Sequence, residues 1–335
     1  MRQAILFVIV LMCAAAGAWA QETPKESLLA LAKRDRTMAI VDPATLKVVA
    51  KVPCGPDPHE VIASADGKLA FVSNYGGGAY NTISVIDLTA QKPLPAIDLG
   101  VLHGPHGLAF AGGKLYFTAE TNKVIGTYDP ATQKVDWILG TGQNRTHMVD
   151  VSKDLATIFT SNVSSGTMSI IQRVSVPAGP GGGTRMDWTE TVVPVGRGSE
   201  GFDVAPDGKE MWVANAGDGT ISIVDVASRK VTQTLEANVK GANRLKFTHD
   251  GKRVLVASLG DGNVTVFDAS SRELLKRIKV GRGAAGILMQ PDGTRAFVAA
   301  SPDNLIAVID LKTLEIVGRI DVGNEPDGMA WATRQ

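Results

Sequence analysis

Apolar and polar positions alternate in short runs along most of the chain, and Asp-Gly pairs separate many of the runs. Four segments nearly superimpose: Pro58–Val72 (PHEVIASADGKLAFV), Ser199–Val213 (SEGFDVAPDGKEMWV), Ala242–Val256 (ANRLKFTHDGKRVLV) and Ala284–Val298 (AAGILMQPDGTRAFV). Runs of this length, rich in Val, Ile, Phe and Thr, predict strands. Asp-Gly between them predicts a hairpin of the primed type, because glycine reaches positive φ at little cost. A second signature follows each hairpin, as in Val213–Val226 (VANAGDGTISIVDV), Val256–Ala269 (VASLGDGNVTVFDA) and Val298–Leu311 (VAASPDNLIAVIDL). A fourth run closes each unit, for example Lys230–Leu235, Leu274–Val280 and Ile316–Val322. The unit is therefore four short antiparallel strands.

Weaker copies begin near His106 and His147, so the second residue of the opening strand falls at positions 59, 106, 147, 200, 243, 285 and 327. The widest interval contains Val174–Asp187, a Gly- and Pro-rich stretch read as a long hairpin loop or outer excursion. The last opening strand, Asp327–Thr333, reaches the C-terminus without partners, while Leu28–Leu31, Thr37–Asp42 and Lys47–Val52 lack an opening strand. Joining the two ends completes a seventh unit. The expected fold is all-β: a seven-bladed β-propeller of four-stranded antiparallel blades, closed by the C-terminal strand joining the N-terminal blade. At about 45 residues per blade it occupies residues 21–335 as one domain.

Composition limits the partners. Residues 1–20 hold Arg2, an apolar run from Ala4 to Met12 and the small-residue box Ala18, Trp19, Ala20, the pattern of a secretory signal peptide too short to span a membrane. The protein is thus expected to be periplasmic or secreted, with no membrane span. Its removal leaves 33 basic against 34 acidic residues, which argues against nucleic acid as a partner. Cys54 then stands alone, so no intramolecular disulfide can form and a small buried role is expected. No C-x-x-C-H, phosphate-cradling glycine loop or G-x-S-x-G elbow is present. The cluster Gly76, Gly77, Gly78 is expected to form a flexible turn.

In a four-stranded blade the start of the first strand and the turn between the second and third strands share one face. The first set is His59, His106, His147, Glu200, Asn243, Ala285 and Asp327; the second is Asn74, Glu120, Asn162, Asn215, Ser258 and Ala300. His59, His106, His147 and Glu200 fall on four consecutive blades and form a candidate site for one divalent transition metal, while Asn74, Asn162, Asn215, Asn243 and Asp327 are candidates for ligand contact on that face. Polar residues lining a hydrated channel mouth would give the same list without a metal. Arg197 and Arg282, each in VGRG, would add positive charge to this face, His103 would be solvated, and His249 would sit on the opposite face.

The strings FVSNYGGGAYNTISVIDL, VANAGDGTISIVDV and VAASPDNLIAVIDL resemble the YVTN family of seven-bladed β-propellers over essentially the whole mature chain. The resemblance implies the fold far more than the function. Pro105, His106, Gly107 with Phe117–Thr121 (FTAET) and Asn144–Met148 (NRTHM) are similar to lactonase-type propellers. That likeness implies His106 or His147 as acid or base, Glu120 as the carboxylate partner and Arg145 as a clamp on a substrate carboxylate or oxyanion. The family pattern sets Arg beside His in the blade before the Glu, whereas Arg145 lies one blade later. The leading expectation is a monomeric binding module holding a small ligand, a metal or a partner protein at this face, and the alternative is a lactonase-like or metal-assisted hydrolase or lyase acting there.

Overall fold

The computed structural model describes residues 22–335, so the expected signal peptide lies outside the described residues. Seven four-stranded antiparallel sheets form a ring. Blades 1 to 6 open with the strands Pro58–Ala63, Pro105–Ala111, Thr146–Val151, Ser199–Val204, Ala242–Phe247 and Ala284–Met289. Blade 7 opens with Pro326–Thr333 and takes its other three strands, Glu26–Ala32, Thr37–Asp42 and Lys47–Pro53, from the N-terminal part of the chain. The joining ladder pairs Leu28 with Trp331 and Leu29 with Ala330. The expected closure is present, and it gives the C-terminal inner strand the three partners that complete its blade. Among the described residues no helix is long and apolar enough to cross a membrane.

Burial explains the sequence pattern strand by strand. The second and third strands of a blade are covered on both faces by neighbouring blades, so Leu69–Asn74, Glu210–Asn215 and Leu305–Asp310 are buried almost throughout and read as apolar runs. Outer strands such as Glu315–Ile320 have one wet face and alternate. The core therefore lies between blades. Leu255, Val264 and Val266 of blade 5 meet Ile287, Val298 and Ile309 of blade 6, and Leu29, Leu31 and Ile40 of blade 7 meet Val61, Val72 and Ile86 of blade 1. Each such side chain contributes about 1.5–3 kcal/mol on burial.

Two local readings change. The Asp-Gly hairpins are closed by Gly67, Gly208, Gly251 and Gly293 at φ between 66° and 73°, but their aspartates keep negative φ, so the turns are not of the primed kind. The glycine N–H bonds three residues back, as Gly67 to Ser64, and the aspartate side chain accepts the N–H two residues on, as Asp66 from Lys68. Aspartate is there to hold the turn, and glycine only to exit it. The Val174–Asp187 stretch is mostly ladder: Thr167–Pro177 and Thr184–Pro194 pair from Thr167–Pro194 to Pro177–Thr184, leaving only residues 178–183 as the turn of a protruding ribbon.

What positions the site is a bulge repeated at the start of the inner strands. In blades 1 to 6 the ladder to the second strand shifts between the first and fourth residues, for instance Pro58 to Val61 and Thr146 to Val149. The second and third residues are thereby released from the sheet. Three of the freed third-position N–H groups, those of Glu60, Gly107 and Met148, donate instead to hydroxyls of Ser73, Thr118 and Ser161 on the second strand. The bulge also presses neighbouring inner strands together, so four blades carry glycine at the third place. A Cβ on Gly286 would lie 2.1 Å from the Asp327 carbonyl oxygen, whereas one on Gly293 meets open space. Gly286→Ala is expected to cost about 1–3 kcal/mol through overpacking, and Gly293→Ala about 1–2 kcal/mol through left-handed strain alone. Urea unfolding of the two variants measures the difference, and the order should be the same in both midpoint and extrapolated stability.

Candidate functional site

Because the bulged pairs emerge at one mouth of the channel, side chains from consecutive blades stack around it. The rings of His59 and His106 have centroids 4.8 Å apart, and those of His106 and His147 only 3.8 Å apart. Tyr75, from the turn after the second strand of blade 1, touches both His59 and His106 and donates its hydroxyl to Glu120 Oε2 at 2.5 Å. Glu120 opens the corresponding turn of blade 2. Its other oxygen is bonded to His147 Nδ1. On the far side of the same ring, Glu200 Oε2 lies 2.7 Å from His147 Nε2, off the line of an aligned hydrogen bond, so the contact is an ion pair.

His147 is thus clamped between the buried carboxylate of Glu120 and the half-buried one of Glu200. Burial alone would depress its imidazolium, but Glu200 and Glu120 outweigh that and raise it above the ordinary value. Glu200 shows the reciprocal effect: burial pushes it up, yet the charges of His147, Arg244 and Arg145 hold it at about 2. His106 behaves oppositely. Burial and the neighbouring His147 charge depress it well below the ordinary value, and its Nδ1 is buried without a partner. Arg145 completes the cluster, with Nε 3.4 Å from Glu120 and Nη2 3.9 Å from Glu200. Its side chain is 41% exposed against 3–4% for His147 and Glu120, so it is the member that meets solvent.

The structure brings His106, His147, Glu120, Glu200 and Arg145 together and sorts the remaining candidates elsewhere. His59 Nε2 is 3.3 Å from Lys33 Nζ and its Nδ1 is 3.5 Å from Asp57; Lys33 also donates to Asp327 at 3.2 Å. His59 and Asp327 therefore belong to a second group around Lys33. Of the four residues expected to share a metal, His106 and His147 have ligand atoms within 4.8 Å of one another, but the third member of that group is Glu120; neither His59 nor Glu200 belongs to it. Asn243 accepts from Arg244 at 2.9 Å. Asn74, Asn162 and Asn215 are buried and donate to hydroxyl pairs on their own third strands, Thr82 and Ser84, Thr167 and Ser169, Thr220 and Ser222. These amides tie the second and third strands of their own blades together instead of facing a ligand, and Glu120 stands out because it breaks that pattern.

Several outlying residues also find places. Arg197 and Arg282 are spent on Asp218 and Asp303 in the adjoining turns. His103 Nδ1 pairs with the Ala79 carbonyl, and His249 is exposed at the hairpin end. Gly76–Gly78 form a short 3₁₀ turn anchored by Asp57. Cys54 packs against the core between blades 7 and 1, and burial pushes its thiol up to about 12. Three residues of the mouth were not singled out by sequence: Lys33, Glu60 and Arg244. Arg244 in blade 5 is bonded to Glu60 in blade 1, three blades away around the closed ring, and its Nη1 lies 3.7 Å from Glu200. A signal for the pair exists. At the third place of the opening strand four repeats have glycine, and Glu60 and Arg244 depart from it with opposite charges.

No family model and no curated protein matches this chain. Solved structures do share its architecture. A functionally unknown protein from Desulfotomaculum acetoxidans is 16% identical with a TM-score of 0.73, over 92% of this chain and 99% of that one. A candidate 6-phosphogluconolactonase from Bacteroides fragilis is 15% identical with a TM-score of 0.71, again over 92% and 99%. Hydrazine synthase from Kuenenia stuttgartiensis is 17% identical with a TM-score of 0.66, over 82% and 89%. At these identities the likeness is one of fold, that of the seven-bladed β-propeller.

Glu200 is held below its unfolded value, so its contribution to stability is complete above about pH 4.5, the ordinary glutamate value, and is lost as pH falls through about 2. Glu200→Gln should therefore flatten the acid limb of the stability curve between those limits, as read from denaturant midpoints at stepped pH. For Cys54 the expectation is chemical: iodoacetamide at pH 8 should leave the folded protein unmodified and alkylate it once denaturant is added, scored by intact mass.

Proposed function

We propose that the channel mouth is an acid–base site acting on a small carboxylate-bearing molecule, with a cyclic ester as the substrate class, in a protein exported after loss of residues 1–20. The observation that carries this reading is the pair of adjoining histidine rings, 3.8 Å apart at their centroids, that their surroundings displace in opposite directions, His106 down and His147 up. Neighbouring groups pushed apart in this way are suited to serve as base and acid in one reaction. In the proposed step His106 Nδ1 takes a proton from water as its oxygen bonds to the ester carbon. The ring C–O bond breaks, and the departing oxygen takes a proton from the His147 imidazolium. Glu120 and Glu200 keep that imidazolium charged and oriented, and Arg145, at the solvent side, pairs with the substrate carboxylate. The candidate lactonase of the same fold is consistent with this substrate class.

A second reading keeps the same residues for binding without turnover. It is favoured by one observation, the convergence of His106, Glu120 and His147 to within 4.8 Å, which suits one divalent transition metal.

The test is a panel of sugar-acid γ- and δ-lactones followed with a pH indicator, beside elemental analysis of the mature protein. The acid–base reading expects turnover resistant to chelator, a fall of about 10²-fold or more in His106→Ala and Glu120→Ala with thermal stability kept, and no stoichiometric metal. Retained turnover in both variants refutes the assignment. Near one equivalent of metal, lost in His106→Ala, together with no turnover selects the binding reading.

A further inference from the structure

The Glu60–Arg244 bridge joins the third positions of two opening strands, and a cavity lined by both residues extends from it to His249 and Pro291 at the hairpin end of the ring. This chamber has a volume of about 460 Å³. That falls within the usual range of small-molecule sites, about 300–1,000 Å³. Its walls are the lower halves of the inner strands and are mainly apolar, with Ile62, Leu108, Phe110, Phe202 and Leu288 among them. None of the mouth residues His106, His147, Glu120 or Arg145 lines it.

The charged groups around it are unevenly paired. Glu60, Asp150, Arg244 and Lys246 line it, His249 stands at its hairpin end, and Asp203 adjoins Lys246. Glu60 is bonded to Arg244, and Asp203 accepts from both Lys246 Nζ at 2.9 Å and the Phe247 N–H at 2.8 Å. Asp150 is the odd one: it lines the chamber, and no side chain bonds to it. Burial and the nearby Asp203 charge push its carboxyl up against the attraction of Lys246 and the Val151 N–H. A carboxylate in an apolar chamber without a dedicated cation is stabilised by a ligand that brings one. Aromatic faces at Phe110 and Phe202 also favour a cation over an anion.

We propose that this chamber binds a small molecule with an apolar body and a single amine, whose ammonium pairs with the Asp150 carboxylate while the body lies against Phe110, Phe202 and Leu288. The site is separate from the histidine cluster and does not rest on the function proposed for it.

The experiment is isothermal titration of the mature protein at pH 7.5 with three probes of one shape: 4-phenylbutylamine, 4-phenylbutanol and 4-phenylbutyrate. The amine is expected to bind roughly tenfold or more tighter than the alcohol, as a charge-assisted hydrogen bond requires, and the butyrate more weakly than either. Asp150→Asn should erase the preference for the amine while leaving the alcohol affinity unchanged. Equal binding of amine and alcohol, preference for the butyrate, a preference that survives Asp150→Asn, or no binding of the amine would each overturn the proposal. Should Asp150→Asn fail to fold, the comparison of three probes on the unaltered protein decides alone. Lactone turnover is measured on the same preparation, so the failure of either reading leaves the other standing.

Discussion

No blade of this protein can cover its own middle strands. Residues such as Phe71, Val213, Leu255 and Phe297 are buried because a neighbouring blade lies over them, and removing one blade would uncover two faces at once. The ring is therefore stable only when closed, and the ladder between Glu26–Ala32 and Pro326–Thr333 is the join on which closure depends. Every later feature follows from the crowding this creates at the axis.

Seven inner strands converging on one axis run out of room at their starts, and the bulge is how the backbone accommodates it. It frees two residues per blade from pairing, allows glycine to take the tightest contacts, and turns side chains at the second position toward the channel. Hydroxyls on the second strand satisfy the amides so released, which is why polar residues occur on otherwise apolar strands at Ser73, Thr118 and Ser161. The mouth cluster is a by-product of this geometry that the sequence has filled with chemistry: two carboxylates around one imidazole, a second, buried imidazole beside it, and two arginines.

The same geometry divides the channel. Glu60 and Arg244 occupy third positions where four of the other five blades have glycine, and their bond joins opposite parts of the ring. Arg244 also lies beside Glu200, so the bridge supports the mouth cluster from below while forming the inner end of the apolar chamber. The mouth side gathers imidazoles, carboxylates and arginines, whereas the chamber side is mainly apolar with Asp150 bonded to no side chain, which gives the two ends different chemical characters within one fold.

The sequence by itself determined the repeat, the number of blades, the closure and the strand that opens each one, because burial on two faces writes apolar runs and the turns demand Asp-Gly at fixed offsets. It also placed His106, His147, Glu120 and Glu200 on one face, since strand direction assigns faces. Tertiary structure decided the rest. Whether an Asn at a turn faces a ligand or a neighbouring hydroxyl depends on side-chain direction, and Asn74, Asn162 and Asn215 turn inward to their own blades. His59 meets Lys33 as well as the ring of His106, because Lys33 arrives from the blade that joins the chain ends. The pairing of Glu60 with Arg244 connects residues 184 positions apart, and only closure of the ring brings such charges within reach.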